Sequence, residues 1–268
     1  MNHPQYVHGY SSKESKRLQD QAQTLTNLLH HDTIYPANSR VLEVGCGVGA
    51  QTVILAKNNQ ETQILSLDVS AASLATAKAR AEEAEYSNVS FLRGDLFSLP
   101  FEDETFDHIF VCFVLEHLLH PQKALEYLKR ILKTGGSLTV IEGDHGSAYF
   151  HPDSVAARKT IQCLIDLQAQ TGGNALIGRQ LYPLLSSASY KDVHVSPRMV
   201  YADESLPEMV DGFTKKTFNT MIEGVKEQAI NAKMIKEKEW NEGIHALYRT
   251  SEKDGVFCYT FFKAVGIK

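Results

Sequence analysis

The stretch VLEVGCGVG, residues 41–49, decides the fold class of this chain. β-compatible residues surround one acidic residue, Glu43, and a helical pattern, QTVILAK, begins at Gln51. Between them stand three glycines at alternate positions, Gly45, Gly47 and Gly49. A strand, a glycine turn and a helix in this order open a nucleotide-binding βαβ unit, because glycine lets the backbone turn tightly and lets a ligand approach without a Cβ in the way.

The spacing of the glycines separates this turn from the dinucleotide-binding type. A dinucleotide fingerprint needs GxGxxG, whereas this turn reads GxGxG with a carboxylate two positions before the first glycine. That carboxylate would repel the pyrophosphate that a helix N-terminus holds in a dinucleotide site. It suits a ligand with an amino group and a positive charge, and the alternative is a tight turn without a ligand.

The pattern E-x-G-x-G-x-G resembles the first motif of the class I S-adenosylmethionine-dependent methyltransferases. The resemblance implies that S-adenosyl-L-methionine is the cofactor and that the glycine loop packs on its methionine portion. The residues implied for this contact are Glu43, Gly45, Cys46, Gly47 and Gly49.

Two further carboxylates follow the second and third predicted strands, residues 63–67 and 89–93. Asp68 ends the second strand, where a carboxylate accepts hydrogen bonds from ribose hydroxyls, and Val69 follows it. In the resembling family an acidic residue after the third strand accepts from the adenine amino group, and the next backbone N–H contacts a ring nitrogen. The positions that match here are Gly94, Asp95 and Leu96, and plain turn residues are the alternative for both carboxylates.

The resemblance continues to residue 142. Residues 99–109 follow the pattern LPF-x-D-x-(S/T)-F-D-x-(I/V), as in methyltransferases of the type 11, or ubiquinone/menaquinone-biosynthesis, kind. The fourth strand is predicted over 108–113, and its end matches the fourth-motif region of the family, so the resemblance implies that Phe113 lies next to the sulfonium. Glu116 and His117 are interpreted as structural, because a methyl transfer need not use an acid or a base.

The fifth strand is predicted over 137–142, and a polar loop is expected after it. The candidate catalytic residues are Glu142, His145 and Tyr149, because loops at this edge of an open α/β sheet tend to carry function and histidine suits a general base. A surface loop that caps the next helix is the alternative. A metal site of His145, His151 and Asp153 matches no ligand spacing, so no metal is predicted.

The amphipathic pattern over residues 11–30 predicts a helix before the first strand. It either packs on the sheet by its apolar stripe or forms a lid over the cofactor. A lid would contribute Tyr10, Arg17 or Gln21.

The predicted fold is α/β: a doubly wound, mostly parallel seven-stranded sheet of the Rossmann-like methyltransferase type, with an N-terminal helix and a C-terminal helical insertion. The expected domains are an N-terminal helical lid (1–36), a cofactor-binding core (37–150), and a third segment (151–268). The third segment holds substrate-side helices, the helical insertion and the last two strands.

Composition limits the partners of the 268-residue chain. The net charge is -5, so no basic field recruits nucleic acid, and no run approaches the ~20 apolar residues of a membrane span. Four scattered cysteines without a CxxC pair and the absence of a secretory signal favour a cytoplasmic protein with free thiols. The sequence leaves open whether the chain forms a homodimer.

These observations predict an enzyme that moves a methyl group from S-adenosyl-L-methionine to a small-molecule acceptor by in-line displacement. A non-catalytic S-adenosylmethionine-binding regulator or scaffold is the first alternative. A nicotinamide-dependent Rossmann oxidoreductase is the second.

Overall fold

The computed structural model describes residues 12–98 and 101–268, and these contain one seven-stranded sheet in the order β3-β2-β1-β4-β5-β7-β6. The strands are β1 (Arg40–Val44), β2 (Gln63–Asp68), β3 (Val89–Arg93), β4 (Phe106–Cys112), β5 (Leu132–His151), β6 (Lys191–Ala202) and β7 (Val256–Ile267). Strands β1 to β5 are parallel, and β7 runs antiparallel to both β5 and β6. The predicted fold class is confirmed.

Helices cover both faces of the sheet. Those before β6 are α1 (Ser12–His30), α2 (Thr52–Asn58), α3 (Ala71–Glu83), α4 (Pro121–Ile131), α5 (Val155–Gln170) and α6 (Leu181–Ser187). After β6 come α7 (Pro207–Met209), a π-helical segment (Val210–Asn219), α8 (Thr220–Glu223), α9 (Lys226–Asn231) and α10 (Glu237–Arg249). Residues 205–252 are therefore mostly helical, as predicted.

Alternate residues of the central strands pack into two cores. Leu42, Ile109 and Val140 belong to the core on the α4 side, where Leu125 and Leu128 are fully buried. The neighbouring residues of the same strands, for example Val41 and Phe110, face the opposite core with α1 and α5. A central parallel strand is covered on both faces, which explains why β4 is almost continuously apolar.

Strand β5 is longer than predicted. The expected loop after Glu142 is wrong, because the strand continues to His151 with an irregularity between Asp144 and Tyr149. Residues 149–151 pair with residues 256–258 of β7. The partner strand lies about 110 residues further along the chain. Its hydrogen bonds keep this polar segment extended, although the segment's own sequence is typical of a loop.

Helix α1 packs on the core and also reaches the cavity, and its role as a lid over the cofactor stays a prediction. Leu25 and Leu29 are buried in the core beneath it, while Arg17 and Gln21 line a cavity at its other end. Tyr10, the third lid residue proposed from the sequence, lies outside the described residues.

Candidate active site

The candidate site is a cavity of about 390 Å³ at the carboxyl ends of the parallel strands. Open α/β sheets bind ligands in this place, because the strand-to-helix turns converge there. Most of the site residues proposed from the sequence line it: Gln21, Gly45, Cys46, Gly47, Asp68, Val69, Gly94, Asp95, Leu96, Phe113 and His145.

The glycine turn lines one side of the cavity. Gly45, Gly47 and Gly49 have positive φ angles of 69°, 53° and 78°, which side chains rarely adopt. A Cβ on Gly47 would meet nothing within 4 Å, so this glycine leaves space beside the backbone. A Cβ on Gly49 would lie 2.8 Å from the Cα of Ala77 in α3. Gly49 therefore serves the packing of α3 and does not line the cavity.

Glu43 lies behind the glycine turn and is not among the cavity residues. Its Oε2 accepts hydrogen bonds from Thr52 Oγ1 at 2.7 Å and Ser66 Oγ at 2.6 Å. Burial raises the pKa of Glu43 from 4.5 to about 7, against the opposing effect of these two hydroxyls. The residue ties β1 to β2 and α2, so the predicted direct contact with the cofactor has no support in the geometry.

Asp68 and Asp95 place carboxylates on the same cavity. Asp68 is fixed by two backbone donors, Gly47 N to Oδ2 and Ser70 N to Oδ1, each at 2.8 Å. Asp95 Oδ1 accepts from Phe97 N at 2.9 Å. A carboxylate has about four acceptor positions, so both can accept further hydrogen bonds from hydroxyl or amino groups.

His145 lies on β5 and lines the cavity, and 7% of its surface is exposed. Its Nδ1 is 2.7 Å from Tyr259 Oη, and its Nε2 is 3.9 Å from Glu116 Oε2. Gln168 Nε2 donates to Glu116 Oε2 at 3.1 Å, and His117 Nε2 lies 3.5 Å from Glu116 Oε1. His145, Glu116, Tyr259 and Gln168 thus form a cluster, which we call the polar cluster.

The charges of the polar cluster follow from burial and proximity. Burial lowers the pKa of His145, so the imidazole is neutral near pH 7. Burial alone would raise the pKa of Glu116, but the charges of His117 and His145 in their protonated forms, together with the hydrogen bond from Gln168, outweigh it and the pKa is lowered. Glu116 is therefore the ionised member of the cluster.

Glu142 supports this cluster from outside the cavity. Its Oε1 accepts from Val114 N at 2.9 Å and Leu115 N at 2.7 Å, which holds the start of the 3₁₀ turn Leu115–His117. Burial, and then the charge of Glu116, raise the pKa of Glu142 well above its usual range. Its carboxyl group fixes the turn that carries Glu116, and it is not among the cavity residues.

Tyr149, the third proposed catalytic residue, lies outside the cavity lining. Its side chain is 52% exposed, and its hydroxyl is 3.4 Å from Met199 Sδ on the outer face of the sheet. The irregularity of β5 after Asp144 separates it from His145. Tyr149 therefore lies away from the cavity that contains His145.

Several cavity residues had no signal in the sequence, were assigned to the core or, in the case of Glu116, were interpreted as structural. They are Glu116, Gln168, Phe213, Thr217, Phe218, Met221, Tyr259 and Phe261. Four of them lie on the helical segment after β6 and two on β7, so only folding brings them to the glycine turn. Phe213 and Phe218 of the helical insertion are buried and also border the cavity, so they belong both to the core and to the cavity wall.

The fold and the site combine a doubly wound sheet with a glycine turn after β1, a carboxylate after each of β2 and β3, and a pocket beside them. Residues 42–140 match the family model described as a methyltransferase domain. The match confirms the resemblance of this segment to the class I S-adenosylmethionine-dependent methyltransferases that the sequence predicted.

Three known proteins illustrate the similarity. An uncharacterised methyltransferase of Schizosaccharomyces pombe is 33% identical over 64% of this chain and 64% of its own length. The demethylmenaquinone methyltransferase of Bacillus licheniformis is 31% identical over 53% of this chain and 57% of its own length. The matches thus span about three fifths of each relative.

The third is a solved structure, phosphoethanolamine N-methyltransferase 2 of Haemonchus contortus in complex with phosphomonomethylethanolamine and S-adenosylhomocysteine. It matches 93% of this chain and 52% of its own with a TM-score of 0.56 at 16% identity, a likeness of fold. Among the described residues, no helix has the length and apolar character to cross a membrane, and no three potential ligands gather as a metal site.

Proposed function

We propose that this chain transfers a methyl group from S-adenosyl-L-methionine to a small-molecule acceptor by in-line displacement. The observation that carries the proposal is the composition of one cavity. It joins the glycine turn and two carboxylates at strand ends to an enclosed, partly aromatic pocket with a buried polar cluster.

The residues around the glycine turn fit the cofactor. The open space at Gly47 admits a ligand beside the backbone, and Gly45 and Cys46 would hold the methionine end. Asp68 would accept from the ribose hydroxyls, and Asp95 with Leu96 would hold the adenine. Val69, Gly94 and Phe113 complete the lining, and Gln21 covers it from α1.

When bound, this cofactor supplies a methyl group already activated by the positive charge of its sulfur. The work of the chain is then to position the acceptor and to exclude water. Helix α1 and the π-helical segment close over the cavity and bring Arg17 and Phe213 into its wall. Exclusion of water strengthens the electrostatic interactions inside the closed site.

The other end of the cavity favours a small acceptor with an apolar body and one polar group. Phe213, Phe218 and Phe261 supply apolar contact, and the polar cluster supplies the hydrogen-bonding groups. Small-molecule sites have this composition, with mostly apolar walls and a few placed polar groups. A net charge of -5 argues against a nucleic-acid acceptor.

Calorimetric titration with S-adenosyl-L-methionine tests the proposal. We expect the wild-type chain to bind and Asp68→Ala to bind at least tenfold more weakly, about 1.4 kcal/mol, because the ribose acceptor is lost. Asp166→Ala removes an exposed carboxylate of α5 and is the matched control.

A folded wild-type chain that binds no S-adenosyl-L-methionine would overturn the proposal. NADH is then the next titrant, because binding of that nucleotide would favour an oxidoreductase. Tight cofactor binding without transfer to any member of a broad acceptor panel would instead favour the non-catalytic regulator.

A further inference from the structure

The two ring nitrogens of His145 have different surroundings. Nδ1 is in hydrogen-bond contact with Tyr259 Oη at 2.7 Å. Nε2 has no hydrogen-bond partner within the described ranges, because Glu116 Oε2 at 3.9 Å is beyond hydrogen-bond distance. Nε2 is therefore the nitrogen that a bound molecule can use.

The distance of 3.9 Å between Nε2 and Glu116 Oε2 leaves room for one oxygen atom near both. A hydroxyl oxygen there lies within reach of both groups, and its single hydrogen is donated to Nε2, since Glu116 Oε2 already accepts from Gln168 Nε2. Gln168 contributes a further acceptor, because its Oε1 is buried without a partner among the described residues. Such an unsatisfied acceptor in a cavity wall indicates that the ligand carries a further hydrogen to donate besides that of the hydroxyl.

Tyr259 can serve either form of the imidazole. Burial raises the pKa of Tyr259 well above its usual range, so the phenol stays protonated. A phenol oxygen both donates and accepts, so it can receive a hydrogen bond from Nδ1–H. In that tautomer Nε2 carries a free lone pair that faces the cavity.

We propose that His145 is the general base of the reaction and that the methyl acceptor is a hydroxyl group bound between His145 Nε2 and Glu116 Oε2. This inference rests on the proposed function and adds its acceptor class. Tyr259 and Glu116 are positioning residues: Tyr259 holds the ring through Nδ1, and Glu116 places a negative charge beside Nε2.

The step balances in atoms and charge. The acceptor oxygen gives its proton to Nε2 and bonds to the methyl carbon. The carbon–sulfur bond of the donor breaks, and its electron pair stays on sulfur. The positive charge that leaves the sulfonium reappears on the imidazolium of His145, where the ionised Glu116 stabilises it.

Other charges around His145 tune this base. Arg17 and His117 disfavour a proton on the ring, whereas Glu116 and Asp144 favour one. Asp144 is itself paired with Arg179 at 2.6 Å, so its effect is partly neutralised. Glu116 is therefore the charge on which proton uptake depends most.

Nitrogen-15 NMR of histidine-labelled full-length protein tests the proposal without knowledge of the natural acceptor. Phenol is the probe, and anisole, its methyl ether, is the matched control, because anisole has the same ring but no proton to donate. We expect phenol, with S-adenosylhomocysteine present, to shift the Nε2 signal of His145 as a hydrogen-bonded, unprotonated nitrogen, and anisole to leave it unchanged.

The signal is assigned by its loss in His145→Gln or, if that variant does not fold, by backbone-linked assignment. Tyr259→Phe should reduce the phenol-dependent shift and raise the population of the Nε2–H tautomer. A merely structural role of Tyr259 would leave the tautomer ratio unchanged.

The proposal is overturned by an Nε2 that remains protonated with phenol bound, by equal shifts from phenol and anisole, or by no response to phenol at high millimolar concentration. Cofactor titration on the same samples separates this result from the proposed function. If the protein binds S-adenosyl-L-methionine but fails the phenol test, only the proposed hydroxyl acceptor and the proposed general base are overturned, and the proposed function stands.

Discussion

Glu43 is a carboxyl group enclosed by β1, β2 and α2, with 2% of its surface exposed. Ser66 and Thr52 donate to one oxygen, and no cation accompanies them among its hydrogen bonds within the described residues. Two neutral donors offset part of the cost of burying a charge, so the pKa remains raised, at about 7.

This raised pKa predicts a pH dependence of stability. The folded chain holds the proton of Glu43 up to about pH 7, whereas the unfolded chain releases it near pH 4.5. The stabilisation is therefore complete below pH 4.5 and is lost as the pH rises through 7, with a slope of up to about 1.4 kcal/mol per pH unit. Glu43→Gln should lack this slope.

Urea unfolding of the cofactor-free protein between pH 4.5 and 8 measures the effect as the difference between wild type and variant. Glu82→Gln, at an exposed position of α3, is the control and should follow the wild type. A wild-type-minus-variant difference that does not change with pH would contradict the assignment.

At the scale of elements, the cover of the cavity depends on a close contact between α1 and the π-helical segment. Gly212 lies against Thr24 so closely that a Cβ would overlap the threonine side chain. The same segment brings Phe213 and Thr217 to the cavity wall. The glycine thus allows two helical elements, distant in sequence, to close one site.

Gly212→Ala and Gly212→Val should loosen this cover in increasing order. We expect faster amide exchange over residues 14–30 and a severalfold weaker affinity for S-adenosyl-L-methionine, with a small change in global stability. The reason is that the added carbons push α1 away while the sheet is untouched. Gly224→Ala, whose Cβ would have its nearest neighbour at 3.3 Å, is the control.

Hydrogen-exchange mass spectrometry and calorimetry check both effects. Equal exchange in α1 for wild type and Gly212→Val would show that the contact does not hold the cover. A global loss of protection in β1 and β4 would mean that the contact stabilises the whole fold.

At the scale of the molecule, one sheet joins the two halves of the chain. Strands β6 and β7 enter the same sheet as β1 to β5, and β7 pairs along almost the full length of the β5 segment from Ser137 to His151. Tyr259, which contacts His145, is carried by β7. The expected boundary at residue 150 therefore separates segments that share a sheet and a site.

A chain that ends at residue 190 lacks β6 and β7 and should not fold independently. It would expose the edge of β5 and the apolar face that Phe257, Tyr259 and Phe261 cover. The full chain should unfold in a single cooperative transition. Circular dichroism and proton–nitrogen correlation spectra test this, and a well-dispersed spectrum of the shortened chain would disprove it.

Most residues around the glycine turn could be placed at the cavity from the sequence, because their positions depend on local patterns. Asp68 and Asp95 each follow a strand directly, so their placement needs only the strand and its parallel neighbours. Glu43 shows the limit of such reasoning, since a period of two along β1 does not tell whether the side chain turns to the ligand or to Ser66 and Thr52.

By itself the sequence determined the parallel order of the core, the glycine turn and the two carboxylates that end at the cavity, because each depends on short-range patterns of hydrophobicity and turn chemistry. The tertiary structure alone decided the polar cluster. His145 and Tyr259 meet through antiparallel pairing of β5 with β7, and Glu116 meets Gln168 where α5 packs over the 3₁₀ turn. Such contacts between distant segments depend on strand register and helix packing, which no local pattern in the chain encodes.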